Sequence, residues 1–144
     1  MNKEFIKQLK DIVDANMANE TFGPDELVRQ AGMSHSNLNR KLKSISNQNI
    51  SQFIREIRLK KAKELLLNED LTISEISFRV GFGSPTYFNK CFHEYYGVTP
   101  GQLRIQEPEK EPVEQADENL PIKSNRTRKL ISLVIGLFVL ISFV

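Results

Sequence analysis

One pattern occurs twice in this sequence, and it constrains the fold more than any other feature. Its second copy, residues 72–92, is typical of a helix, a tight turn and another helix. Thr72 and Glu75 have the spacing of a capping box, which starts a helix by satisfying its first N–H groups. Gly81 suits the turn because glycine adopts backbone conformations that side chains disfavour, and Ser84 can cap the helix that follows.

The helix after that turn is predicted to have one apolar face and one polar, cationic face. Phe88 and Phe92 lie four residues apart, so they share the face that packs into the core. The opposite face carries Thr86, Asn89, Lys90 and His93. Two short helices with a common core and such a face are typical of a motif that places its second helix in the major groove of DNA.

The first copy of the pattern spans residues 25–43. It precedes the second copy by 49 residues up to the glycine and by 50 residues afterwards, because the second copy has one inserted residue. Two copies are too few for a solenoid, so we predict two helix-turn-helix units within one small domain. The equivalent pairs are Glu26 and Glu75, Gly32 and Gly81, Ser34 and Ser84, Leu38 and Phe88, Asn39 and Asn89, Arg40 and Lys90, and Leu42 and Phe92.

Helical periodicity extends over the rest of the first 104 residues, and the sequence contains no convincing strand. We predict the longest helix at residues 50–67, where it connects the two units. Its surface outside the core stripe is expected to carry Arg55, Arg58, Lys60, Lys61 and Lys63. The other predicted helices are residues 4–18, residues 24–31 and 34–44 in the first unit, and a short last helix that opens at Thr99 and Pro100, with Leu103 packed inward and Arg104 outward.

Composition and charge exclude several classes of protein. A single cysteine excludes a disulfide scaffold, and we expect Cys91 to be a buried small hydrophobe. No carboxylate pair, nucleophile triad or phosphate loop is evident, so we predict no enzyme, and no metal site or cofactor. Residues 1–104 carry 15 Lys and Arg against 12 Asp and Glu. A net charge of +3 is weak, so nucleic-acid binding depends on where the cations lie.

The C-terminal part differs in character from the first 104 residues. Residues 105–129 contain three prolines and six acidic residues and end in a basic cluster, so we predict a linker. Residues 130–144 carry no charge. Fifteen residues are shorter than the roughly 20 that span a bilayer, and we interpret them as a truncated transmembrane helix or short anchor. The alternative is a buried C-terminal helix. The preceding cations favour a cytoplasmic N-terminal domain tethered to the inner membrane.

Residues 1–104 resemble the DNA-binding domain of the AraC/XylS family of bacterial transcription regulators. The motifs that carry the resemblance are Leu59 to Leu66, Ile73 to Ile76, Val80-Gly81-Phe82, Tyr87-Phe88, Phe92, Gly97-Val98-Thr99-Pro100 and Leu103-Arg104. The resemblance implies an all-α domain of seven helices in which a long helix joins two helix-turn-helix units. It also implies that each unit places its second helix in one of two successive major grooves, on one face of bent DNA.

The family's base-reading positions fall here on Ser36, Asn37, Asn39 and Arg40 in the first unit and on Pro85, Thr86, Asn89 and Lys90 in the second. Asn pairs well with adenine, and Arg and Lys with guanine, but Pro85 has no donor and is not expected to read a base. Phosphate contacts are expected at Ser34, Lys43, Ser84, His93 and Gln102. Phe82 and Tyr87 are expected to pack rather than stack on bases.

Two hypotheses for function remain at this point. The first is a sequence-specific, membrane-tethered transcription regulator that binds double-stranded DNA, with RNA polymerase as a candidate partner. The second is a membrane-anchored helix-turn-helix module that binds other proteins and not DNA. Many members of the family carry a ligand-binding domain, and none precedes the first helix here. We therefore expect sensing to reside beyond Val144, in a partner, or in the amount of protein made.

Overall fold

Residues 2–106 are described by a computed structural model, and their regular structure is entirely α-helical. The predicted all-α fold class is therefore confirmed for this part of the chain, while the apolar helix predicted at 130–144 lies outside it. None of the helices within residues 2–106 is both long and apolar enough to cross a bilayer. The helices are α1 (Asn2–Ala15), α2 (Pro24–Gln30), α3 (His35–Ser46), α4 (Ile50–Asn68), α5 (Ile73–Arg79), α6 (Pro85–Tyr96) and α7 (Pro100–Gln106).

Side-chain caps explain where the helices begin and end. At α5 the predicted capping box forms: Thr72 N–H donates to Glu75 Oε2 at 2.8 Å, and Glu75 N–H donates to Thr72 Oγ1 at 3.2 Å. The hydroxyls of Ser34 and Ser84 cap α3 and α6 by accepting backbone N–H groups. Gly97 ends α6 as its C-terminal cap, with a φ of 75° in the left-handed region.

Two hydrophobic cores share α4 between them. One lies among α1, α2, α3 and the first half of α4, and the other among the second half of α4, α5, α6 and α7. Leu38, Leu42, Phe88 and Phe92 are all 0% exposed, which confirms that they are core residues. Met17, just after α1, packs against both cores. Each helix-turn-helix therefore depends on α4 for part of its interior.

Two arginines do not lie where the sequence predicted. Arg58 was expected on the solvated side of α4, but it is only 9% exposed and donates to the carbonyl oxygens of Asn19 and Phe22. Arg104 was expected to point outward, but its Nη2 donates to Leu71 O at 2.6 Å. Both predictions are wrong, because each side chain donates to a backbone carbonyl of a distant loop, which helical periodicity does not reveal.

The two turn glycines have the same conformation and different surroundings. Gly32 and Gly81 adopt φ values of 64° and 78°, in the left-handed region that favours glycine. A Cβ added to Gly32 would meet nothing within 4 Å. A Cβ added to Gly81 would lie 2.4 Å from Met17 O and 2.8 Å from Arg58 Cζ. The first turn faces open space, whereas the second is packed against other parts of the domain.

Alanine substitution at each turn glycine tests this difference. Gly32→Ala should lower the free energy of unfolding by roughly 1–2 kcal/mol, because it adds only left-handed backbone strain. Gly81→Ala adds overlap with a carbonyl and a guanidinium, so its loss should be larger by about 1–3 kcal/mol. Urea unfolding followed by circular dichroism measures both losses. Equal losses at the two glycines would contradict the asymmetric packing.

Candidate nucleic-acid interface

Helix α3 presents a polar surface on the side opposite its buried leucines. Ser36, Asn37, Arg40 and Lys43 are exposed, whereas Asn39 is half-buried. Ser36, Arg40 and Lys43 follow helical spacing, so they lie along one face. Arg40 Nη2 donates to Asn37 Oδ1 at 3.1 Å. This bond holds a guanidinium and an amide side by side, and both groups are suited to base edges in a major groove.

Helix α6 presents a comparable surface. Thr86, Asn89, Lys90 and His93 are exposed and follow the spacing of one helical face. Lys90 Nζ lies 4.0 Å from Glu94 Oε1, and both side chains are more than half exposed. A surface pair at that distance is weak, so it leaves the ammonium group able to bind another acceptor.

The two surfaces repeat in register. In each helix a serine caps the N-terminus, an asparagine follows five residues later and a cation comes next, as Ser34, Asn39 and Arg40 and as Ser84, Asn89 and Lys90. Both helices are 12 residues long. The predicted equivalence of the two copies therefore extends from sequence to the position of each group on its helix.

Acidic residues are sparse on the two helices that carry these polar surfaces. Helix α3 contains no Asp or Glu, and Glu94 is the sole acidic residue of α6. Several cations elsewhere are paired with carboxylates, among them Arg29 with Glu26, Lys60 with Glu56, Lys61 with Glu64 and Arg79 with Glu69. A domain of weak net charge can thereby keep its positive potential on the faces of two helices.

The serine caps place both helix N-termini where an anion can approach. Ser34 Oγ accepts from Asn37 N–H at 3.3 Å, and Ser84 Oγ accepts from Tyr87 N–H at 3.4 Å. Both serines are exposed. A helix N-terminus carries partial positive charge and favours phosphate. Each hydroxyl keeps its own proton to donate, which suits the phosphate contact predicted for these two residues.

The remaining predicted phosphate contact, Gln102, lies on α7. Its side chain is exposed, and its Oε1 accepts from Thr99 N–H at 2.9 Å and from the Thr99 hydroxyl at 3.0 Å. Gln102 therefore has a structural role as the second half of a capping box. Contact with DNA at this position remains a prediction.

The two aromatic side chains beside the α6 surface, Phe82 and Tyr87, differ in exposure. Phe82 is buried, as expected, but Tyr87 is 51% exposed and contacts only the edge of the core, with its ring centroid 5.9 Å from that of Phe82. The packing role predicted for Tyr87 is thus correct only in part. Its hydroxyl raises the pKa of the half-buried Arg55 guanidinium on α4. The exposure could not be foreseen, because Tyr87 sits at the boundary between the apolar and polar faces.

Within residues 2–106 no group of three or more His, Cys, Asp and Glu side chains is placed to hold a metal ion. Cys91 is 3% exposed, as expected of a small buried hydrophobe.

Comparison with known proteins identifies the arrangement. A family model described as a helix-turn-helix domain matches residues 27–106, which is more than half of the chain. A transcriptional regulator from Chromobacterium violaceum, described as containing an AraC-type DNA-binding domain, has the same fold. It is 25% identical, with a TM-score of 0.66 over 72% of this chain and 92% of that one. The chain belongs to the AraC-type family of helix-turn-helix transcription regulators.

Other relatives of this AraC-type domain are parts of much longer proteins. A 40% identical match over 104 residues covers 72% of this chain and 8% of the protein named Histidine kinase P4 from Formosa agariphila. The chain spans between 24% and 38% of several bacterial regulatory proteins. The DNA-binding domain of AdpA, solved in complex with a target DNA, has the same fold at 23% identity, with a TM-score of 0.63 over 69% of this chain and 89% of that one.

Aspartate at the serine caps separates stability from DNA contact. Asp caps a helix about as well as Ser, so Ser34→Asp and Ser84→Asp should change the free energy of unfolding by less than about 0.5 kcal/mol. Each should weaken duplex binding roughly tenfold at low salt, because the carboxylate repels phosphate. Fluorescence anisotropy measures the affinity.

The matched control for these variants is Asn49→Asp, which makes the same charge change at the cap of α4. An affinity loss as large for Asn49→Asp as for the serine variants would show that total charge, and not the position of the caps, matters.

Proposed function

We propose that residues 2–106 are the sequence-reading domain of a transcription regulator, with α3 and α6 each entering a major groove of double-stranded DNA. The observation that carries the proposal is the repeated surface of serine cap, asparagine and cation on two helices joined to the same α4. Membership of the AraC-type family supports it, as does the related AdpA domain in complex with its target DNA.

The side chains divide into two roles. We propose that Ser36, Asn37, Asn39 and Arg40 on α3, and Thr86, Asn89 and Lys90 on α6, contact bases. Asn suits the N6 and N7 atoms of adenine, and Arg or Lys suits the O6 and N7 atoms of guanine. Ser34, Lys43, Ser84, His93 and Gln102 would bind phosphates, which fixes the position of the domain without reading sequence.

Truncation of the two central cations tests the base-reading role. Arg40→Ala and Lys90→Ala should each weaken binding to a preferred duplex by about 1–3 kcal/mol and relax base preference locally. Lys43→Ala is the matched comparison on α3: it should weaken all duplexes alike and lower the slope of log affinity against log salt by about one. Selection from random duplexes, followed by titration of preferred and scrambled sites, measures both effects. Equal losses on preferred and scrambled DNA for Arg40→Ala would refute its assigned role.

The alternative function, a module that binds proteins and not DNA, is decided by the same selection. It predicts that the full chain, kept in mild detergent, enriches no duplex even at low ionic strength. We also propose RNA polymerase as a partner. This proposal follows from the role of a transcription regulator and not from any surface of residues 2–106.

We further propose that residues 130–144 tether this domain to a membrane, with the basic cluster 123–129 on the cytoplasmic side. The support is the uncharged apolar run itself and the cations before it. In this arrangement the domain would read chromosomal DNA from the inner membrane.

A charge in the middle of the apolar run tests the tether. Leu137→Arg should release the chain from the membrane fraction, because an arginine near the bilayer centre costs about 2.5–3.5 kcal/mol. Ser132→Arg is the control, since a charge beside the basic cluster can reach the interface. Immunoblotting after alkaline extraction of membranes measures both. Wild-type chain in the soluble fraction would contradict the tether and leave the DNA proposal standing.

A further inference from the structure

Arg58 joins α4 to the segment that leads into the first helix-turn-helix. Its Nη2 donates to Asn19 O at 2.8 Å and to Phe22 O at 3.2 Å. Both carbonyls lie between α1 and α2, more than 30 residues away along the chain. The planar guanidinium has a fixed donor geometry, so these bonds restrict how that segment sits on α4.

The turn of the second helix-turn-helix rests on the same groups. A Cβ added to Gly81 would lie 2.8 Å from Arg58 Cζ and Nη2 and 2.4 Å from Met17 O. A Cβ added to Gly83 would lie 2.9 Å from Glu20 Oε2. Both glycines of this turn therefore touch residues 17–22. We call the contact of Arg58, the 81–83 turn and the 17–22 segment the joint.

The charge of Arg58 argues that its contribution is geometric. Among the ion pairs within residues 2–106 none involves Arg58, and its buried Nε has no hydrogen-bond partner there. A buried charge without a counter-charge is a poor source of stability, because two hydrogen bonds to carbonyl oxygens offset only part of its desolvation. Its contribution is a contact between the 17–22 segment, which leads into the first helix-turn-helix, and the turn of the second.

We propose that the joint fixes the separation and angle between α3 and α6, and so makes this domain selective for the spacing of two DNA half-sites. The inference rests on the proposed function. One base pair advances the duplex by about 3.4 Å and turns it by about 35°. A rigid domain cannot follow that change, so Arg58 acts as a positioning residue for specificity although it lies away from the reading surfaces.

Duplexes with altered spacing test the proposal on DNA. In the wild-type chain, inserting one or two base pairs between the half-sites of the selected site should weaken binding roughly tenfold, because simultaneous engagement is lost. Arg58→Met keeps the length of the side chain and removes its donors. It should reduce that penalty to about threefold or less while affinity for an isolated half-site stays near the wild-type value.

Matched controls keep this measurement specific. Lys61→Met makes the same charge change on α4, at a surface residue paired with Glu64, and should keep the full spacing penalty. Gly81→Ala should also reduce the spacing penalty, because the added Cβ disturbs the turn within the joint. Gly32→Ala, at the turn that faces open space, is its control and should keep the full penalty. An Arg58→Met chain that keeps the wild-type penalty overturns the inference.

A second measurement needs no DNA. Spin labels at Ser44→Cys on α3 and Glu94→Cys on α6, in a Cys91→Ala background, report the distance between the two units by double electron–electron resonance. The distribution should broaden in Arg58→Met and stay narrow in Lys61→Met. An unchanged distribution in Arg58→Met overturns the joint. If the wild-type chain binds no duplex, the proposed function fails, and the label distances still decide whether the joint exists.

Discussion

The structure depends on the burial of α4 between two groups of helices. It contacts each of the other six helices within residues 2–106, and nine of its 19 residues are buried. The first helix of each helix-turn-helix has only seven residues, which is too short to be stable alone. Each unit therefore gains its stability by packing on α4. Helix α4 therefore both stabilises the two units and sets their positions.

The features that sequence could predict are those determined within one or two helical turns. Thr72 and Glu75 form a capping box from residues three apart, and Phe88 and Phe92 share a face because they are four apart. The burial of Arg58 could not be predicted in this way. Its partners lie more than 30 residues away in a loop, and a cation among the lysines of α4 is ordinarily solvated.

The candidate surface follows the same division between local and distant causes. Asn39 and Asn89 each follow the capping serine of their helix by five residues, so their equivalence could be read from the sequence alone. Their exposure differs, since Asn39 is half-buried and Asn89 is exposed. Under the proposed function, equivalent positions in the two copies would therefore not be equivalent reading positions, and the two half-sites of one operator would not need to share a sequence.

If the proposed function holds, the weak net charge makes half-site spacing more important to this domain than it would be to a strongly basic one. Nonspecific affinity grows with the number of phosphates that cations neutralise, and here pairs such as Lys60 with Glu56 remove cations from that count. Under the proposed function, a domain with little nonspecific affinity would have to engage both grooves to remain bound, because each helix alone offers few contacts. A rigid connection between α3 and α6, as we propose, would then contribute to specificity as directly as the side chains that face the bases.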